Sequence, residues 1–126
     1  MRLLLDTHVF VWSAMWSSKL SPTVGGALLD PGSEIFVSAV SAYEIEYKRD
    51  RDPLLRQMPA QLDDAVHAQG MTWLSITATH GAAAARLPPL HRDPWDRILV
   101  AQAMIEGLHL VTIDHKLSSY GVPILW

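Results

Sequence analysis

Leu3-Leu4-Leu5-Asp6-Thr7-His8 opens the chain with three bulky apolar residues, an acid and the start of a helical stretch. Apolar residues that do not alternate with polar ones describe a strand buried on both faces, as in the middle of a parallel sheet. Two further runs repeat the pattern. Ile35-Phe36-Val37 follows the turn Asp30-Pro31-Gly32-Ser33, and Leu108-His109-Leu110-Val111-Thr112-Ile113 follows Gly107. Thr72-Trp73-Leu74 and Val122-Pro123-Ile124-Leu125 are weaker candidates, the last an edge strand because Pro123 has no amide hydrogen for a ladder.

Helical signals fill the intervals. Residues 7–16 are apolar and follow Asp6. Ser21-Pro22 is an N-cap with proline at the first helical position, opening a helix to Leu29. Residues 40–49 are amphipathic, residues 60–69 end at Gly70, and the alanine-rich residues 79–86 stop before Pro88-Pro89. Asp93-Pro94 opens the strongest helix, with Ile98, Ala101, Ile105 and Leu108 on one stripe and Gly107 at its end. Strands alternating with helices predict an α/β fold: a small parallel sheet of about five strands, flanked by helices on both faces.

The 126 residues predict one domain spanning 1–126, without tails. At 49% hydrophobic and 18% charged residues, the chain is too apolar to stay disordered. It has no cysteine, which excludes disulfide scaffolds, thiolate zinc sites, iron–sulfur clusters and thiol nucleophiles. Net charge is −3 and the pI about 6.0, so nucleic-acid contact requires a local basic patch. Asp6 ends the first apolar run far short of a signal peptide. Residues 65–85 lack Asp, Glu, Lys and Arg but include His67, Gln69, Gly70 and His80, which excludes a membrane span. A cytoplasmic protein without membrane association is expected.

In a parallel sheet, ligands bind outside the carboxyl ends of the strands. Asp6 ends the first strand and Ser38 the second, with Glu44 in the following helix. Asp114 ends the Leu108–Ile113 run, and Asp96 lies in the first turn of the helix before it. Each acid has a plainer reading. Asp6 and Asp114 suit helix N-caps, Ser41-Ala42-Tyr43-Glu44 has capping-box spacing, and Asp93 with Asp96 suits a capped helix start. Four carboxylates on one rim repel each other, however, and such a gathering is stabilised by cations. Oxygen ligands without cysteine or paired histidines point to Mg²⁺ or Mn²⁺.

At these residues the sequence resembles the PIN-domain ribonucleases, specifically VapC-type toxins of toxin–antitoxin pairs. The likeness rests on Leu3-Leu4-Leu5-Asp6-Thr7-His8, Ser38-Ala39-Val40-Ser41-Ala42-Tyr43-Glu44-Ile45, residues 91–103, Leu110-Val111-Thr112-Ile113-Asp114 and residues 120–126. Tyr43 and Trp95 stand where Trp and Phe are common in that family. The resemblance implies that Asp6, Glu44, Asp96 and Asp114 form an acidic metal site. It also implies an RNA substrate cut to leave a 5′ phosphate, a homodimer, and a separate antitoxin whose tail blocks the cleft.

Around the quartet, Thr7, Ser38 and Thr112 are supporting candidates, for metal waters or phosphate or simply as structural strand ends. Asp93 is an extra acid assigned to capping. Lys48, Arg49, Arg51, Arg92 and Arg97 are candidate phosphate contacts; the first three also suit a solvated helix end, and Arg97 suits neutralisation of the acids. Phe10, Trp12 and Trp16 are assigned to the core or a dimer interface rather than base stacking, and Trp126 to terminal packing. The six histidines show no metal-binding spacing; His8 and His115 lie close enough to the acids to influence pH dependence. Two alternatives remain. One is a phosphatase or phosphoacceptor domain with Asp6 as nucleophile, disfavoured because Thr7-His8 supplies no second acid two residues on. The other is a non-catalytic interaction module whose acids only cap helices.

Overall fold

The computed structural model describes residues 1–126. Five strands, β1 (Arg2–Leu5), β2 (Glu34–Ser38), β3 (Thr72–Leu74), β4 (His109–Val111) and β5 (Ile124–Leu125), form one sheet in the order β3-β2-β1-β4-β5. Every pairing is parallel, with Leu4 opposite Phe36 on one side and Leu110 on the other. β1 is thus the central strand, and β5 lies at an edge, where Pro123 contributes only its carbonyl, accepting from Leu110 N.

Seven α-helices connect the strands: α1 (Thr7–Met15), α2 (Pro22–Leu29), α3 (Ala39–Lys48), α4 (Pro53–Arg56), α5 (Leu62–Ala68), α6 (Ala78–Arg86) and α7 (Pro94–Glu106). The central strand explains the two-sided core. Leu3 and Leu5 pack with Val9, Phe10, Val37, Ile45 and Val66, whereas Leu4 packs on the opposite face with Val40, Leu99, Val100, Leu110 and Leu117. All three leucines are fully buried. At about 1.5–3 kcal/mol per buried side chain, this strand alone anchors both layers. No helix is long and apolar enough to cross a membrane.

Most helix ends follow local chemistry. Ser21 caps α2 through Val24 N, Asp93 caps α7 through Trp95 N, and Gly107 ends α7 at φ +66°, a left-handed conformation that glycine adopts without Cβ strain. Three expectations are corrected. The helix expected over 60–69 is shorter, Leu62–Ala68. α4 was not anticipated, although Asp52-Pro53 carries the same N-cap and proline signal as Asp93-Pro94, and Asp52 Oδ1 accepts from Leu54 N at 3.0 Å. The capping box over Ser41–Glu44 does not form. α3 begins three residues earlier, capped by Ser38 through Val40 N, so Ser41 and Glu44 stand inside the helix and turn inward. A capping box forms instead at α6, between Thr77 and His80.

Phe10 is fully buried, Trp12 meets Trp126 edge-to-face at 6.1 Å, and Trp16 is exposed.

Candidate active site

The chain leaves β1 to build β2 on one side and later returns to place β4 on the other. That reversal opens a crevice above the carboxyl ends of β1 and β4. Asp6, Thr7, His8, Glu44, Lys48, Asp93, Asp96, Thr112, Ile113 and Asp114 line a cleft there of about 230 Å³. The four rim acids therefore meet, although they come from the residue after β1, from α3, from α7 and from the segment after β4.

Each is held differently. Asp6 caps α1, its Oδ1 accepting from Val9 N at 2.8 Å, while its own amide donates to Val111 O. Asp114 caps the 3₁₀ turn His115–Tyr120 through Lys116 N at 3.0 Å. Asp96 stands in the first turn of α7, where the helix dipole favours negative charge. Glu44 caps nothing. It projects from the middle of α3, retains 7% of its surface, and its Oε2 accepts from Lys48 Nζ at 2.6 Å. For Asp6 and Asp114, capping and membership of the cleft coexist.

The electrostatics record the crowding. Burial above all pushes the Asp6 carboxyl above its ordinary range, with Glu44 adding to the rise; the Thr112 side chain, the Val9 amide and His8 oppose it. Asp96 is pushed up to about 7, first by burial, then by Asp93, with Asp6 and Glu44 adding and His91 opposing. Two carboxyls held above their ordinary range mark a site short of positive charge.

Thr7 Oγ1 lies 2.9 Å from Ser41 Oγ in a buried pair that ties α1 to α3. Thr112 Oγ1 accepts from Asp114 N at 3.1 Å and so sets the turn that presents Asp114. Ser38 is fully buried as the α3 cap and does not line the cleft. Asp93 lines it while capping α7.

The expected phosphate contacts divide. Lys48 lines the cleft and Arg92 is exposed. Arg51 is exposed with its guanidinium 5.0 Å from the Tyr47 ring centroid. Arg49 and Arg97 are engaged inside the fold. Arg49 donates to the carbonyls of Leu55, Met58 and Pro59 and pairs with Glu46 at 2.7 Å. Arg97 donates to the carbonyls of Ala84, Ala85, Leu87, Pro88 and His91. A guanidinium whose donors are satisfied by carbonyls has none left for a phosphate or for the acids.

Sequence reasoning passed over His91. Its Nε2 lies 3.6 Å from Asp96 Oδ2 and 3.4 Å from Asp114 Oδ2, and one ligand atom from each of these residues falls within a 4.8 Å span. His91 Nδ1 accepts from Asp93 N at 3.3 Å, which leaves the hydrogen on Nε2, facing the acids. No regular spacing marks it; its one signal is its place in the short loop between Pro88-Pro89 and the Asp93 cap.

A switch-point cleft with carboxylates from four separate segments, on a five-stranded parallel sheet, defines the class. The chain belongs to the PIN-domain family, whose model matches residues 3–123. Over 126 residues it is 31% identical to Ribonuclease VapC22 of Mycobacterium tuberculosis, covering 96% of this chain and 93% of that protein. In fold it is similar to VapBC2 from Rickettsia felis bound to a DNA fragment from their promoter, with a TM-score of 0.75, 18% identity, and 99% and 98% of the two chains covered. DNA-bound VapBC from Salmonella typhimurium gives 0.74 at 14% identity, covering 99% and 97%; FitAcB from Neisseria gonorrhoeae gives 0.65 at 16%, covering 98% and 96%.

Proposed function

We propose that the chain is an endoribonuclease dependent on Mg²⁺ or Mn²⁺ and the toxin of a type II toxin–antitoxin pair, acting in the cytoplasm. The observation that carries the reading is the convergence of Asp6, Glu44, Asp96 and Asp114 in one cleft of a PIN fold. The 31% identity to Ribonuclease VapC22 supports RNA as the substrate class. The VapBC complexes of similar fold support an antitoxin as partner. A homodimer belongs to the same proposal.

The donor set fits a hard divalent cation. It is oxygen-rich, two of its acids are held above their ordinary pKa, and Lys48 already sets a positive charge against Glu44. Asp6, Glu44, Asp96 and Asp114 would hold the ion. A divalent cation there supplies a Lewis acid that eases ionisation of water and offsets charge at the phosphate.

The chain's own groups do the rest. Asp96, pushed up to about 7, would have to be ionised to hold a cation, so activity is expected to rise with pH through neutrality. Asp93 and Thr112 fix the backbone that aims Asp96 and Asp114. Lys48 Nζ sits at the cleft wall, placed to meet a phosphate oxygen. His91 places its Nε2 within 3.6 Å of both Asp96 and Asp114, a nitrogen beside the two carboxylates.

Glu44 argues against a scaffold whose acids only cap helices, because it is buried in the cleft and caps nothing. The test is cleavage of a single-stranded RNA with Mg²⁺ or Mn²⁺ and with EDTA, followed by analysis of product ends. Cation-dependent fragments with 5′ phosphates are expected. Cleavage unaffected by EDTA, or none with either ion, contradicts the proposal.

A further inference from the structure

Beside the cleft lies an aromatic surface that the proposed chemistry does not use. Tyr43 and Tyr47 are one turn apart on α3, and their rings stack at 5.9 Å with an interplanar angle of 11°. Trp95, at the start of α7, lies 6.3 Å from Tyr43 and 6.0 Å from Tyr47. The two tyrosines remain 61% and 55% exposed, large values for aromatic groups already stacked on each other. Positive charge is interleaved with the rings: Lys48 Nζ lies 4.7 Å from the Trp95 centroid and Arg51 5.0 Å from that of Tyr47. The surface is continuous with the cleft, because Lys48 also contacts Glu44 and Trp95 immediately precedes Asp96.

We propose that Tyr43, Tyr47 and Trp95 form a stacking platform for the bases of single-stranded RNA whose backbone enters the acidic cleft. The inference rests on the ribonuclease reading and adds how substrate is held. Bases stack on aromatic faces whatever their identity, and adjoining cations follow the phosphates. Lysine is depleted from protein–protein interfaces, whereas Lys48 sits against the Trp95 ring. Without a cation the acidic cleft repels a polyanion, and this neighbouring surface supplies both stacking and positive charge.

The test is fluorescence anisotropy of a short fluorescein-labelled oligouridylate, with Asp6→Asn protein to prevent cutting. Tyr43→Ala and Tyr47→Ala are each added, with Tyr47→Phe as the conservative control. Each alanine is expected to weaken binding about five- to hundredfold, the effect of one stacked base. Phenylalanine is expected to hold affinity within about twofold. Both tyrosines are exposed, so the variants should fold, and circular dichroism checks this. Unchanged affinity in both alanine variants, while wild-type protein still cleaves RNA, overturns the platform and leaves the ribonuclease reading standing. Unchanged affinity accompanied by loss of a dimer on sedimentation also overturns it, assigning the surface to a second copy of the chain. Wild-type protein that neither binds nor cuts RNA defeats the ribonuclease reading, and the platform with it.

Discussion

His91 Nε2 lies 3.4 Å from Asp114 Oδ2, and the loop that carries this imidazole is tied down by Arg97. The guanidinium reaches the carbonyls of residues 84, 85, 87, 88 and 91, bridging the end of α6 and the following loop to α7. Removing one partner leaves part-buried acceptors unsatisfied, at about 1–3 kcal/mol each. Arg97→Lys should therefore destabilise the protein by more than about 2 kcal/mol, since an ammonium cannot reproduce the planar fork. Urea unfolding checks this. A phosphate-binding Arg97 predicts unchanged stability and weaker RNA binding.

The raised pKa values of Asp6 and Asp96 set the sign of a pH dependence. A folded pKa above the ordinary 3.8 means that the folded state binds the proton more tightly. The associated stability is full below the unfolded pKa and is lost as pH rises through the folded one, about 7 for Asp96. Cation-free protein should thus melt at progressively lower temperature between about pH 4 and 7. Asp96→Asn should flatten that slope. A melting temperature that climbs over the same interval in EDTA contradicts the crowded-acid description.

Asp6→Asn and Asp96→Asn should abolish cation-dependent RNA cleavage while keeping the fold. Asparagine caps α1 about as well as aspartate, and removing one charge relieves repulsion, so stability is equal or higher without cation. Cleavage assays and circular dichroism on the same preparations separate loss of chemistry from loss of fold. Normal cutting by either variant would sink the acidic-site assignment.

Lys48 stands against the buried Glu44. Lys48→Met leaves that carboxylate without its partner, which should cost about 1–2 kcal/mol in EDTA. Added Mn²⁺ should restore more stability to this variant than to wild type, because the cation then has no competing ammonium at Glu44. Equal cation-induced shifts in the two proteins would show that Lys48 and the ion do not share this carboxylate. Thermal melts with and without Mn²⁺ provide the comparison.

The fold was legible because its central strand is unmistakable: only a two-sided core accommodates Leu3, Leu4 and Leu5 together. Asp52-Pro53 shows that a strong local signal was present at α4 and was overlooked. The gathering of the four acids could be argued from topology, since strand ends at a switch point share a rim. What could not be read were relationships between distant side chains. Arg97 shows a local charge near acids, but its acceptors lie 6–13 residues away. His91 belongs to the cleft only because its loop folds back over Asp114, 23 positions on. The Tyr43–Tyr47 pair sits at helical spacing, yet its exposure depends on how α7 packs against α3.

The central claim is that Asp6, Glu44, Asp96 and Asp114 form one cation site. Thermal unfolding of wild type and Asp6→Asn, each with EDTA and with millimolar Mn²⁺ or Mg²⁺, tests it most directly. At a cation concentration about a hundred times the dissociation constant, binding adds about 2.7 kcal/mol, a shift of several degrees in a domain of this size. The account predicts that rise in wild type and its loss in Asp6→Asn. An equal rise in both proteins, or none in wild type, would contradict it.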